Sequence, residues 1–142
     1  MVHITTSWRG VAVVVAIALV VLGVVAWFLT RPEPGQVELG SRTVQAGEVE
    51  VTMTALTLDG SGATFRIKFD THTVDLGLDP ATAARLTVNG TSVNGARWDG
   101  QGPGGHHREG TLSFATPIPA GAAVELRITG LPQDAVGSWS AP

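Results

Sequence analysis

Phe65, Ile67 and Phe69 alternate strictly with Arg66, Lys68 and Asp70. A period of two puts the three large apolar side chains on one face, which a helix with about 3.6 residues per turn does not do. The stretch predicts a half-buried strand, and such a strand needs a second apolar layer to cover it. The same period recurs in Val49, Val51 and Met53, set against Glu50, Thr52 and Thr54. It recurs again in Val124, Leu126 and Ile128, with Glu125, Arg127 and Thr129 facing out. Leu112 and Phe114 mark a further strand, and a last short one runs through Trp139. Asp59-Gly60-Ser61-Gly62 reads as a turn between antiparallel strands. Asn89-Gly90 reads as a hairpin turn between Leu86 to Val88 and Ser92-Val93. Asn89-Gly90-Thr91 is also a glycosylation sequon, and the turn reading is preferred. Asp79-Pro80 opens a short helical turn through Ala84, with Asp as N-cap and Pro at the first helical position. Seven or so short strands in the 108 residues from Gly35 to Pro142 predict an all-β, immunoglobulin-like β-sandwich. The paired cysteines of true immunoglobulin domains are absent, since the chain has no cysteine.

The 19 residues from Val11 to Leu29 are apolar without interruption apart from Gly23. As a helix they span roughly 28 Å, close to the ~30 Å hydrocarbon core of a bilayer. Trp8 and Trp27 stand near the two ends, where amphipathic rings favour the interface. Val24-Val25-Ala26 offers a small-residue cleavage site, yet the run exceeds the ~7 to 15 residues of a signal-peptide core. The expectation is one uncleaved transmembrane signal anchor at residues 11–30, after a cytoplasmic tail of residues 1–10. Arg9 against Arg31 gives the positive-inside rule little to act on, so the orientation rests on the short tail and the long polar remainder. Arg31-Pro32-Glu33-Pro34-Gly35 is a stiff linker, placed at residues 31–36, and residues 37–142 form the extracytoplasmic domain. The chain is thus expected at the cell membrane as a single-pass protein.

Composition excludes several classes of function. From Gly35 to Pro142 seven basic residues stand against eleven acidic ones, a net charge of −4, with no Lys/Arg run. Nucleic acid is therefore not an expected partner. Without cysteine there is no disulfide, no thiol catalysis and no cysteine-ligated zinc or copper. No Gly-x-Ser-x-Gly elbow occurs, and Ser61 and Ser113 have no sequence-adjacent base. The domain reads as non-catalytic.

Three of the four histidines fall in two polar clusters. One is Asp70-Thr71-His72-Thr73-Val74-Asp75-Leu76; the other is Trp98-Asp99-Gly100 followed, after a glycine-rich run, by Gly104-Gly105-His106-His107-Arg108-Glu109-Gly110. Histidine and aspartate are costly to bury unpaired, so two such clusters predict one assembled polar site. These stretches resemble a family of uncharacterised membrane-anchored bacterial and archaeal extracytoplasmic domains with DTHSVDL-like and GGHHRxG-like motifs. Thr73 stands here where that family commonly has Ser. The resemblance spans roughly Val49 to Trp139 and implies an anchored envelope domain whose two motifs belong together.

Three readings of the site follow. In the first, His–Asp hydrogen bonds staple a long loop and Trp98 packs over it, leaving a binding or interaction surface for an envelope protein. In the second, His72, His106 and His107 are nitrogen ligands for Zn²⁺ or Cu²⁺, with Asp70, Asp75 or Asp99 as a fourth ligand or tautomer-fixing acceptor. This needs His72 to continue the outward face of Lys68 and Asp70, and an irregular backbone to aim both adjacent histidines at one ion. In the third, the N–H groups of Gly104 and Gly105, the two histidines and Arg108 cradle an anion.

Overall fold

A computed structural model describes residues 39–142. The tail at 1–10, the anchor at 11–30, the linker at 31–36, and Trp8 and Trp27 lie outside the described residues. Among the described residues no helix is long and apolar enough to cross a membrane.

The elements run in the order β1 (Ser41–Ala46), β2 (Val49–Asp59), β3 (Gly62–Thr71), α1 (Pro80–Ala83), β4 (Ala84–Val88), β5 (Thr91–Val93), β6 (Ala96–Gly100), β7 (His107–Phe114), β8 (Ala123–Ile128) and β9 (Ala135–Ser140). They form two antiparallel sheets, ordered β1-β2-β3-β7-β6 and β5-β4-β8-β9. The domain is all-β, and the two sheets share one apolar core, as in a β-sandwich.

The period-two pattern sets the core. Val51, Phe69 and the inner face of β7 lie in one row across the sheet, as do Met53 and Ile67. Val49, Val51, Met53, Phe65, Ile67 and Phe69 are fully buried, and Leu86, Leu126 and Ile128 meet them from the other sheet. The outward rows are polar: Gln45, Glu50, Asp70 and His107 stand side by side, and next to them Thr43, Thr52, Lys68 and Glu109.

The turns form as their residues require. Asp59 Oδ1 accepts from the Ser61 amide at 2.7 Å and closes the β2–β3 hairpin. Asn89 (φ 48°) and Gly90 (φ 81°) both take the left-handed conformation of a type I′ turn. Asp79 caps α1 through Ala81 N at 3.0 Å. Trp139 is buried against Phe65, ring centroids 5.2 Å apart, and its Nε1 donates to Gly40 O at 2.8 Å. That bond, with Arg42 Nε to Ser138 O at 3.1 Å, ties β1 to β9 across the two sheets.

The strands absent from the sequence pattern are β1 and β6, the two edges of the larger sheet. Edge strands are exposed on more than one side, so Ser41–Ala46 carries no clear alternation. Trp98-Asp99-Gly100, expected in the polar loop cluster, lies within β6.

Candidate functional site

Where the ladder between β3 and β7 ends, the two polar motifs continue to pair. Asp70 faces His107 as the last regular rung. Beyond it Thr71 N donates to His106 O at 2.9 Å, Leu76 N to Gly105 O at 3.1 Å and Gly104 N to Leu76 O at 2.9 Å. Asp75 Oδ1 accepts from Gly105 N at 3.0 Å. Gly104 (φ 105°) and Gly105 (φ 78°) make the reversal, in a region where a Cβ is strained. Thr71 is 3% exposed; its hydroxyl donates to Glu48 O at 2.8 Å and accepts from the Thr73 and Val74 amides at 3.3 Å. The two stretches are thus brought together, chiefly by main-chain groups, and the His72, His106 and Asp99 side chains do not join them.

Arg108 is the centre of the assembly. Counting back by twos from Phe114 and Leu112 puts Gly110 and Arg108 on the core-facing side of β7, and Arg108 is 3% exposed. Its Nε donates to Gln101 O at 2.9 Å, and its Nη1 donates to Leu76 O at 3.2 Å and to Leu78 O. One guanidinium therefore ties the β3–β4 connection to the β6–β7 loop. The Trp98 ring lies 5.5 Å from Arg108 Cζ, and Trp98 Nε1 donates to the same Gln101 O at 3.1 Å. Glycine makes room for that ring: a Cβ on Gly110 would stand 2.6 Å from Gly100 Cα and 2.5 Å from Trp98 Cζ2. Burial pushes the Arg108 pKa down and the charge of Asp79 opposes this. A guanidinium stays protonated throughout the ordinary pH range, so its bonds to the carbonyls are charge-assisted.

On the outward side, Asp70 accepts from Lys68 Nζ at 2.9 Å and from His107 Nδ1 at 2.5 Å. A carboxylate only accepts, so Nδ1 carries the proton. The Lys68 hydrogen bond, then the His107 one, hold the Asp70 carboxyl below its usual range, and Asp70 holds Lys68 above its own.

The metal reading does not find its ligand set. Among the described residues no group of three or more His, Asp or Glu side chains is placed to hold a metal ion. β3 stops at Thr71, so His72 leaves the row of Lys68 and Asp70, and His107 takes the place beside Asp70. His72 lines a cavity of about 230 Å³ with Gln45, Glu48, Glu50, Asp70 and Thr71. His106 is exposed, and its carbonyl rather than its imidazole joins the assembly. Asp99 stands opposite Thr111, four residues along β7 from His107, or about 13 Å at strand spacing. The anion cradle is also spent within the chain. Gly105 N is taken by Asp75, Gly104 N by Leu76, and Arg108 by carbonyls.

The sequence did not single out Gln101, whose carbonyl serves Arg108 and Trp98 while its Oε1 accepts from Glu109 N at 2.9 Å. Nor did it single out the Thr71 hydroxyl. The phase of Leu112 and Phe114 did carry a signal for Arg108, since it puts a charge where the strand faces inward. No protein-family model, curated protein or solved structure matches the chain.

Two outcomes follow from this geometry. Arg108→Lys is expected to cost about 2–4 kcal/mol, because one ammonium cannot reach carbonyls fixed for a planar fork and charge-assisted bonds contribute about 1.5–3 kcal/mol each. In thermal unfolding that is a fall of about 10–25 °C, and an unchanged midpoint would remove Arg108 as the strut. The second concerns acid. The contribution of Asp70 is complete above its unfolded pKa of about 3.9 and is lost as pH falls through its lower folded value. That of Lys68 is complete below about 10.4 and is lost as pH rises through its raised folded value. Asp70→Asn should flatten the acid limb of midpoint against pH; an identical limb in the variant would contradict the pairing.

Proposed function

We propose that this chain is a non-catalytic, membrane-anchored domain that works by binding or protein interaction at the cell envelope. Residues 1–10 form the cytoplasmic tail, 11–30 the signal anchor, 31–36 the linker and 37–142 the extracytoplasmic domain. The observation that carries the non-catalytic reading is the engagement of Asp70, Asp75 and Arg108 within the chain. Asp70 is engaged by Lys68 and His107, Asp75 by Gly105, and Arg108 by three carbonyls. Groups committed to one another brace loops; a reaction needs at least one group held ready for a substrate.

An immunoglobulin-like identity for the sandwich draws support from strand order. Taken without β1, the sheets β2-β3-β7-β6 and β5-β4-β8-β9 follow the order A-B-E-D and C′-C-F-G of that fold. β1 is then an added edge strand. The apolar run of Val11 to Leu29 supports the anchor, and the resemblance of the two motifs to anchored envelope domains supports the location.

Calorimetry of the full chain with Zn²⁺, Cu²⁺ and Ni²⁺ tests the brace against its main rival. The expected result is no tight one-to-one binding, and a lower melting midpoint for His107→Ala in the presence of chelator. Stoichiometric binding abolished by His106→Ala/His107→Ala would replace the brace with a metal module. For the location, the chain should fractionate with membranes and resist an alkaline wash, and its domain should be cut by protease added to intact spheroplasts. Recovery in the soluble fraction would dismiss the anchor.

A further inference from the structure

The chain contains two Asn-Gly pairs, Asn89-Gly90 and Asn94-Gly95, and all four residues are exposed. Glycine after asparagine exposes its own amide nitrogen, because no Cβ crowds an approach to it. In such a pair the glycine nitrogen can attack the asparagine Cγ. The N–Cγ bond forms, the Cγ–Nδ2 bond breaks, and the amide nitrogen leaves as ammonia with the proton from the glycine N–H. Water then opens the succinimide at either carbonyl, giving aspartate or isoaspartate. The reaction consumes one water and needs no redox partner.

The fold treats the two pairs differently. Asn89 sits in the β4–β5 turn, where its Oδ1 accepts from Ala123 N at 2.9 Å and its own N–H donates to Ala123 O at 2.8 Å. Its carboxamide cannot turn toward Gly90 N without breaking the bond to Ala123 N. The Asn94 side chain makes no hydrogen bond among the described residues. Gly95 (φ 87°) has open space around it. Asn94 and Gly95 form the link that carries the chain from β5 in one sheet to β6 in the other, and they belong to neither strand.

We propose that Asn94-Gly95 is a site of spontaneous deamidation and isoaspartate formation, and that the bond to Ala123 protects Asn89. Isoaspartate at 94 would route the main chain through the β-carbon and lengthen the crossing between the sheets.

The test holds the full chain in warm, mildly alkaline buffer and maps peptides by mass spectrometry over time. Both asparagines fall in the tryptic peptide Leu86 to Arg97, so fragment ions must assign the converted one. Asn94 is expected to convert at least about threefold faster than Asn89, within the two- to tenfold bias that one neutral hydrogen bond supplies. In denaturant the two rates should converge, because the tether to Ala123 is gone. Asn94→Gln should leave only the slow conversion at Asn89. Equal or faster conversion of Asn89 in the folded chain would overturn the proposal. So would a rate difference that persists in denaturant, since it would come from local sequence rather than the fold.

Discussion

The loops at one end of this sandwich depend on a charge buried where the strand pattern calls for an apolar side chain. Arg108 sits on the inner face of β7 beside Phe69, yet its guanidinium reaches past the core to Leu76, Leu78 and Gln101. A buried cation is tolerated only when its donors are taken up, and main-chain carbonyls do that without needing a buried anion. The same carbonyls belong to loop segments outside the strands, where Leu76 O also accepts from Gly104 N and Gln101 O also accepts from Trp98 Nε1. The loops therefore take up the cation's donors. Among the described residues no buried side-chain nitrogen or oxygen is left without a partner.

Other features of that end follow from this strut. Trp98 covers the guanidinium and donates to Gln101 O, which is why Gly100 and Gly110 must be glycine. Asp75 uses its carboxylate on Gly105 N, filling the concavity that an external anion would need. On the solvent side Asp70 gathers Lys68 and His107. The Asp70, Asp75 and Arg108 side chains are thus all engaged within the chain.

Much of the fold was legible in the chain. Val49 to Met53, Phe65 to Phe69 and Val124 to Ile128 alternate because each strand has one buried face and one wet face. Asp59-Gly60, Asp79-Pro80 and Asn89-Gly90 marked their turns by local chemistry alone. The edges β1 and β6 were not legible, because a strand paired on one side is under weaker patterning pressure. The site was legible in its membership and not in its wiring. His72, His106 and His107 carry the same side chain, but only His107 lies on a regular rung, because β3 ends one residue before His72.

The sequence by itself determined the all-β class, the turn positions, the absence of cysteine chemistry and the membership of the two polar clusters. Periodicity and local turn chemistry act over a few residues, so they can be read in order along the chain. Only the tertiary structure decided that Arg108 serves carbonyls on two loops, that Asp75 rather than a ligand fills the glycine turn, and that Asp99 stands apart from the histidines. Those outcomes depend on which atoms from distant segments fall within hydrogen-bond reach. Strand register and the end point of each strand fix that, and a shift of one residue would exchange every inward group for an outward one.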